Sequence, residues 1–311
     1  MADRAPLSMT VTQGDRSAAL MRRVALAAVG TALFLVDLKA IAFVVTDSMA
    51  MMASLADSAL DVFASFVNLL AVRHALTPAD EDHRFGHGKA EPLAGLAQSA
   101  FIAGSAAFLV VESAGRLVQP HQVEHGLVGL AVMGVSIAAT LVLVIAQQIV
   151  VRRTGSIAIG ADRMHYAGDL VVNFGVVVGI VLATRFGILI ADPLVGLAVA
   201  FVLALGVWRV FRQSYDQLMD REFPDEERER VRKVVFAHPD VRGVHDLRTR
   251  SAGTNSFIQF HLELDPAMSL ERAHAIADEV EQSLCAAFPA AQVMIHEDPE
   301  GYEPPEHVSK S

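Results

Sequence analysis

The sequence predicts an α-helical membrane protein with six transmembrane helices, followed by a small cytoplasmic α+β domain. Three observations support this fold class. First, 53% of the 311 residues are hydrophobic and the mean hydropathy is +0.40, which is high for a soluble chain of this length. Second, six apolar stretches are long enough to cross a bilayer. Third, after residue 220 the apolar stretches give way to charged sequence with alternating and amphipathic patterns.

The six predicted spans cover residues 19–45, 48–72, 93–118, 126–150, 166–190 and 193–210, within a transmembrane domain of residues 19–213. Residues 1–18 form a polar N-terminal segment without the apolar core of a signal peptide. Lysine and arginine concentrate beside one set of span ends, and the number of spans is even, so both termini are expected in the cytoplasm. The residues that carry this bias are Arg16, Arg22, Arg23, Arg73, Arg84, Lys89, Arg152, Arg153, Arg163, Arg209 and Arg212.

Residues 214–299 are predicted to form the cytoplasmic domain, with the element order αββαβ. A helix is expected from Pro224 to about residue 237, strands at 244–250 and 257–264, a helix at 270–288 and a third strand at 293–295. In the second strand apolar residues alternate with Gln259, His261 and Glu263, which places His261 on the polar face. Residues 300–311 are expected to be a disordered tail.

Charge and cysteine content narrow the possible partners. The formal net charge of −10 argues against nucleic acid as a partner. The single cysteine, Cys285, excludes an intrachain disulfide and a metal site with several thiolates. Any metal site in this chain must therefore be built from histidine and carboxylate side chains.

Two pairs of ionisable residues fall inside predicted spans. Asp57 and Asp61 in the second span are four residues apart, and so share one helix face; His165 and Asp169 repeat this spacing in the fifth span. A single Asp at the bilayer centre costs about 2.5 to 3.5 kcal/mol, so the pairs must neutralise each other, bind protons or bind a cation. If the two spans pack together, three carboxylates and one imidazole would suit a divalent cation such as Zn²⁺. Pairs on two spans favour the cation site.

A polar loop between the second and third spans holds another candidate site. Asp80, His83 and His87 have the residue types that bind Zn²⁺ or Fe²⁺. Polar loops also carry Asp and His for solubility alone, and the spacing does not decide between the two interpretations.

The cytoplasmic domain contains a third candidate cluster, with three histidines on or beside strands and one on a helix. Four histidines in so small a domain favour metal binding if they converge at one end of it, whereas a lone surface histidine is usually only solvated. The residues are His245, His261, His274, His296 and Asp298.

On these residues the chain resembles the cation diffusion facilitators, and most closely the bacterial zinc and ferrous-iron efflux transporters of the YiiP type. The resemblance covers nearly everything from the first span to residue 299. The segments that carry it are Asp57-Ser58-Ala59-Leu60-Asp61, Arg84-Phe85-Gly86-His87-Gly88-Lys89-Ala90-Glu91, His165-Tyr166-Ala167-Gly168-Asp169, His245-Asp246-Leu247-Arg248-Thr249-Arg250 and Ile295-His296-Glu297-Asp298-Pro299.

The resemblance implies a homodimer in the bacterial cytoplasmic (inner) membrane, with a metallochaperone-like cytoplasmic domain in each protomer. It also implies a charge pair between Lys89 and Asp220 near the dimer interface. The implied metal sites are a transport site at Asp57, Asp61, His165 and Asp169, a loop site at Asp80, His83 and His87, and a binuclear cytoplasmic site at His245, His261, His274, His296 and Asp298.

The expected function is proton-coupled export of a divalent cation by alternating access, with Zn²⁺ as substrate and Fe²⁺ or Cd²⁺ as further candidates. His165 can bind either a metal or a proton, and is the residue expected to couple the two. The chain is thus predicted to be a secondary transporter rather than an enzyme, since it lacks the His-Glu-x-x-His helix of a metallohydrolase. The alternative is a membrane-tethered metal sensor or buffer that performs no transport.

Overall fold

The computed structural model describes residues 7–46, 49–118, 127–186 and 190–301. The chain divides into two compact units. Among the described residues, one unit runs from residue 15 to residue 215, and the other comprises residues 216–301 together with residues 7–14. The predicted tail beyond residue 301 lies outside the described residues.

The first unit is formed by six long helices, the first and last of which extend a few residues beyond it. They are α1 (Leu7–Thr46), α2 (Met49–Ala75), α3 (Ala90–Val118), α4 (Leu127–Thr154), α5 (Ile157–Phe186) and α6 (Ala191–Leu218). Among the described residues, all of these except α5 contain a segment long and apolar enough to cross a membrane. The prediction of a multi-pass helical membrane protein is therefore confirmed for five spans. The crossing by α5 stays a prediction.

Helix α5 packs on α2, α3 and α4. Near its start, five helices share one apolar core, whose buried members are Met21, Val24, Ala25, Leu69, Val72, Ala94, Val150, Ala158 and Ile159. Helices α3 and α6 pack through a second core around Ile102, Ala106, Val199 and Leu203. This arrangement brings α5 against α2, the two helices that carry the intramembrane pairs.

Helix α5 begins at Ile157, well before the predicted start at residue 166. Its first turn is capped by Glu91 of α3, which is 1% exposed. One carboxylate oxygen of Glu91 accepts a hydrogen bond from the Ile157 N–H at 3.0 Å, and the other accepts one from the Ser156 hydroxyl at 3.0 Å. A carboxylate satisfies the open N–H groups of a helix start and complements its dipole. The hydropathy pattern missed this turn because it precedes the charged residues Asp162 and Arg163.

The second unit contains α7 (Asp225–Val235), β1 (Gly243–Ala252), β2 (Asn255–Leu264), α8 (Leu270–Ala287) and β3 (Ala291–Pro299). The predicted order αββαβ is confirmed. The sheet has the order β1-β2-β3, with β1 antiparallel and β3 parallel to β2. One face of β2 packs against α7 and α8 in a core of Val231, Val235, Ile258, Phe260, Leu262, Leu264, Ile276, Ala277, Val280 and Leu284.

All three strands are longer than predicted, and β3 differs most. It continues to Pro299, so that His296 pairs with His261 and Asp298 pairs with Glu263. β3 extends beyond the predicted strand because its main chain pairs with β2 along its whole length. This pairing does not require apolar and polar side chains to alternate, so the pattern in the sequence did not reveal it. The polar residues of β3 therefore lie beside the polar face of β2.

Candidate metal-binding sites

Side chains of α2 and α5 meet inside the first unit. The Nε2 atom of His165 lies 2.9 Å from Oδ1 of Asp61 and 3.9 Å from Oδ2 of Asp169. Asp61 and His165 are buried, with 8% and 7% of their surfaces exposed. The three side chains offer ligand atoms within 4.8 Å of one another, a spacing that one metal ion could span. Two oxygens and one nitrogen form a donor set suited to Zn²⁺ or Fe²⁺.

Asp57 is not part of this three-residue set. It lies one turn before Asp61 on α2 and is exposed. The next residue, Ser58, is fully buried and accepts a hydrogen bond from Nζ of Lys39 at 2.6 Å. Lys39 of α1 also donates to the Ser54 carbonyl at 3.2 Å, so a cationic group stands beside the aspartates of α2. The role of Asp57 as a fourth ligand stays a prediction.

The loop between α2 and α3 brings its three predicted residues together. The Oδ1 atom of Asp80 lies 3.3 Å from Nδ1 of His83, and Oδ2 lies 3.3 Å from Nε2 of His87. The ligand atoms of all three lie within 4.8 Å of one another. Asp80 and His83 are exposed, whereas His87 is 8% exposed. The loop cluster, which we define as Asp80, His83 and His87, is therefore a solvent-accessible candidate site.

A tight turn holds Asp80 in place. Its Oδ1 atom accepts hydrogen bonds from the backbone N–H groups of Asp82 at 3.1 Å and His83 at 2.6 Å. The bond from the His83 N–H lowers the pKa of Asp80 from its ordinary value, because it favours the carboxylate form. An ionised carboxylate is the form that binds a cation.

In the second unit, Asp298 of β3 stands at the centre of a histidine group. Its Oδ2 atom lies 2.7 Å from Nδ1 of His261 and 3.3 Å from Nε2 of His245, while Oδ1 lies 3.4 Å from Nε2 of His296. Asp298 is 6% exposed. His245, His261 and Asp298 offer ligand atoms within 4.8 Å of one another. The ring of His296 is 4.6 Å from that of His261, so a fourth predicted residue lies beside this set.

A β-bulge aims His245 at this cluster. The register of β1 against β2 shifts between His245 and Arg248, and Asp246 has a left-handed backbone with φ of 47°. Bulges re-aim side chains and are frequent next to functional sites. Nδ1 of His245 lies 2.8 Å from a carboxylate oxygen of Glu263, and this contact assigns the proton to Nδ1. Nε2 of His245, which is buried without a hydrogen bond among the described residues, then presents its lone pair to the cluster.

The remaining predicted residues lie apart from these sets. His274 of α8 has a side chain 70% exposed, 3.8 Å from Glu297 and 3.9 Å from Asp278. Its contribution to a binuclear site stays a prediction. Lys89 belongs to the first unit and Asp220 to the second, where Asp220 lies 3.4 Å from Arg250. The proposed Lys89–Asp220 pair likewise stays a prediction.

Sequence reasoning missed three side chains next to these clusters. Lys39 lies within the first predicted span, and its contact with α2 requires two helices to pack together. Glu263 was assigned only to the polar face of β2. Its position opposite Gly243 in the antiparallel pair is a contact that no single strand reveals. His74, at the end of α2, has its ring 4.5 Å from that of His87. The close spacing of His74, Asp80, His83 and His87 in the sequence could have indicated that His74 lies near the loop cluster.

An ionisable cluster held between apolar helices is typical of proteins that move ions across a membrane. The chain is thus a multi-pass membrane protein of the transporter class. A family model described as the cation efflux transmembrane domain matches residues 25–219, and one described as the cation efflux protein cytoplasmic domain matches residues 223–300. The chain belongs to the cation efflux family. The resemblance to the cation diffusion facilitators and the prediction of a transporter rather than an enzyme are both confirmed.

Curated relatives cover most of the chain. The cation-efflux pump FieF of Serratia proteamaculans (strain 568) is 44% identical over 91% of this chain and 94% of its own length. That of Shewanella oneidensis is 44% identical over 89% of this chain and 94% of its own. Among solved structures, the metal-bound C-terminal domain of the CzcD transporter from Thermotoga maritima is 26% identical, with a TM-score of 0.24, and covers 26% of this chain and 100% of its own.

Proposed function

We propose that this protein exports a divalent metal cation from the cytoplasm in exchange for protons, by alternating access of a homodimer. The substrate is Zn²⁺, with Fe²⁺ and Cd²⁺ as competing substrates. The protein lies in the bacterial inner membrane with both termini in the cytoplasm, and α5 is its sixth span. Its domains are a transmembrane domain of residues 19–213 and a cytoplasmic metal-binding domain of residues 214–299.

The observation that carries the proposal is the meeting of Asp61, His165 and Asp169 between α2 and α5. A cation bound there replaces its water with two carboxylates and an imidazole, and Asp57 supplies the fourth ligand. Because the ligands come from two helices, a relative tilt of those helices opens or closes the set. A site that can be opened in this way suits a transported ion better than a permanently held one.

Proton exchange follows from the chemistry of the ligands. A metal binds to the ionised carboxylates and to the neutral imidazole, so metal and protons compete for the same atoms. Exposure to the more acidic outer side favours protonation of His165 and release of the metal. Exposure to the cytoplasm favours metal binding.

The cytoplasmic cluster is a regulatory site in this proposal. Metal at His245, His261 and Asp298, with His274 and His296 completing a binuclear site, neutralises carboxylates and draws the two cytoplasmic domains of the dimer together. The match to the family's cytoplasmic domain supports this role. A Lys89–Asp220 charge pair near the dimer interface contributes to the same assembly.

The test is metal uptake into proteoliposomes with an imposed pH gradient. The parent chain is compared with Asp61→Asn, which keeps the side-chain shape but removes the charged ligand. Asp37→Asn is the matched control, since Asp37 is an exposed acid in a predicted span of α1 outside the cluster. We expect Zn²⁺ flux that follows the pH gradient in the parent and the control, and loss of that flux in Asp61→Asn.

The alternative is a membrane-tethered metal sensor or buffer, favoured by the two clusters that lie outside the spanning helices. Absence of flux in the parent, with Zn²⁺ still bound stoichiometrically, would establish this alternative. Flux that ignores the pH gradient would retain transport and reject the exchange for protons.

A further inference from the structure

His74 lies in the last turn of α2 and belongs to none of the predicted sites. Its exposed side chain reaches the loop cluster: the ring centroids of His74 and His87 are 4.5 Å apart, with an interplanar angle of 65°. On the same ring of His87, the centroid of His83 is also 4.5 Å away, at 44°. His87 thus has an imidazole on two sides, and both His83 and His87 contact the carboxylate of Asp80.

The distances from the ring of His87 to the rings of its two neighbours are compatible with binding of one metal ion. Two imidazoles bound to a tetrahedral Zn²⁺ at about 2.0 to 2.1 Å have ring centroids roughly 5 Å apart. The 4.5 Å distances require only a small adjustment to meet this value. Nδ1 of His87 lies 3.4 Å from the Thr77 carbonyl and donates to it. Nε2, 3.3 Å from Asp80, is therefore the atom of His87 that faces the cluster.

The loop cluster alone supplies three ligands, whereas structural Zn²⁺ sites have four protein ligands in a tetrahedron. We propose that His74 is the fourth ligand, and that it closes the loop cluster into a resident site of three imidazoles and one carboxylate. This inference rests on the proposed binding of metal by Asp80, His83 and His87. His74 lies outside the set whose ligand atoms are within 4.8 Å of one another. Being exposed at a helix end, its side chain can rotate into place at little cost.

A site with four protein ligands would have a different function from the three-residue set between α2 and α5. Four protein ligands leave no position for water or an incoming group, so the metal is held rather than passed on. The bound ion would connect the end of α2 to the loop that leads into α3. The expected metal is Zn²⁺, which would stabilise the cytoplasmic end of α2, the helix that bears Asp61.

Co²⁺ is a suitable probe, because four-coordinate Co²⁺ absorbs visible light strongly and six-coordinate Co²⁺ absorbs weakly. The full chain is purified with Asp61→Ala and His261→Ala, which disable the other two clusters. Into this background are placed His74→Gln, His74→Cys and the control His238→Gln, which removes a histidine of the second unit outside all three clusters. Co²⁺ titrations then report coordination geometry and affinity together.

We expect intense four-coordinate absorption in the background chain and in the His238→Gln control. His74→Gln should lose that intensity and bind Co²⁺ about 10- to 100-fold more weakly, or more weakly still. This range is the usual effect of removing an outer-shell partner, and a direct ligand should matter at least as much. His74→Cys should restore a strong spectrum, since a thiolate replaces the missing ligand. An unchanged spectrum and affinity in His74→Gln would overturn the fourth ligand while leaving the loop site intact. Absence of Co²⁺ binding in the background chain would overturn both, and the proteoliposome assay would still decide transport separately.

Discussion

His165 of α5 and Asp61 of α2 are joined by a contact of 2.9 Å between Nε2 and Oδ1, and both side chains are buried. They are 104 residues apart in the chain. This contact links the two helices at the point where the proposed cargo binds. In the proposed transport site this interaction would hold the two ligands in position before a metal arrives, and a proton would occupy it when no metal is present.

The substitution His165→Ala should reduce Zn²⁺ flux and remove most of its dependence on pH. Acidification normally protonates the imidazole and weakens metal binding, so the parent loses affinity as the pH falls. Without the imidazole its share of this competition disappears, and only the carboxylates still bind either metal or protons. The measurement is initial uptake into proteoliposomes at several pH values, with His238→Ala as control. A His165→Ala chain with the parent's pH profile would contradict the role assigned to His165.

The substitution Glu91→Ala should destabilise the first unit. It leaves the Ile157 N–H and the Ser156 hydroxyl buried without their acceptor, and each unsatisfied group costs about 1 to 3 kcal/mol. Glu91→Gln should cost less, because its amide oxygen still accepts one bond. Thermal unfolding of the detergent-purified protein measures the effect, with Glu112→Ala, an exposed acid of the same helix, as control. Equal melting temperatures for Glu91→Ala and Glu112→Ala would refute the cap.

The substitution Glu263→Ala should weaken metal binding at the cytoplasmic cluster by about 10- to 100-fold, the usual effect of removing an outer-shell partner. The carboxylate of Glu263 accepts a hydrogen bond from the Nδ1–H group of His245. This bond leaves Nε2 of His245 free of a proton and facing the cluster. Glu263→Gln, which keeps an acceptor, should have a smaller effect. Zn²⁺ binding would be measured by competition in the full chain with Asp61→Ala and His83→Ala.

Gly243 offers an independent test of the same arrangement. A Cβ atom at this position would lie 2.7 Å from the carboxyl carbon of Glu263. Gly243→Ala should therefore displace the carboxylate and weaken metal binding in the same direction, although no ligand is altered. If both Glu263→Ala and Gly243→Ala bound Zn²⁺ as the parent does, Glu263 would have no part in orienting His245.

Asp80 should titrate at a lower pH than an ordinary aspartate. Its pKa is lowered in the folded protein by the hydrogen bond from the His83 N–H. The ionised carboxylate therefore stabilises the turn above the unfolded pKa of about 3.9, and this stabilisation is lost as the pH falls through the lower folded value. The His83 amide chemical shift of the metal-free protein, followed against pH by NMR, reports the transition. Asp80→Asn should abolish this transition. A transition midpoint at or above the ordinary pKa of aspartate would contradict the hydrogen bond from the His83 N–H to Asp80.

The sequence predicted the helices and the αββαβ order, because hydropathy and periodicity are properties of one segment at a time. Most of the residues that it proposed for the three clusters lie together, whereas Asp57 and His274 lie outside the sets, and metal binding by all of them stays a prediction. What it missed depends on contacts between segments. The first turns of α5 rely on a carboxylate from α3, and the aim of His245 relies on a bulge that exists only in a paired strand. His74 was overlooked because its proximity to His87 requires the loop to fold back toward the end of α2.

The bonds from Glu91 to the start of α5 also determine how that helix can move. They fix the end of α5 against α3, so sliding along the helix axis would break them, whereas tilting about that end would not. Helix α5 has 30 residues and is about 45 Å long. A tilt of about 10° would move its far end by roughly 8 Å but His165, about 12 Å from the pivot, by only roughly 2 Å. In the proposed alternating-access cycle, a helix pivoted in this way would convert a wide opening at one membrane face into a small change of ligand spacing. That change is still comparable to a whole metal–ligand bond.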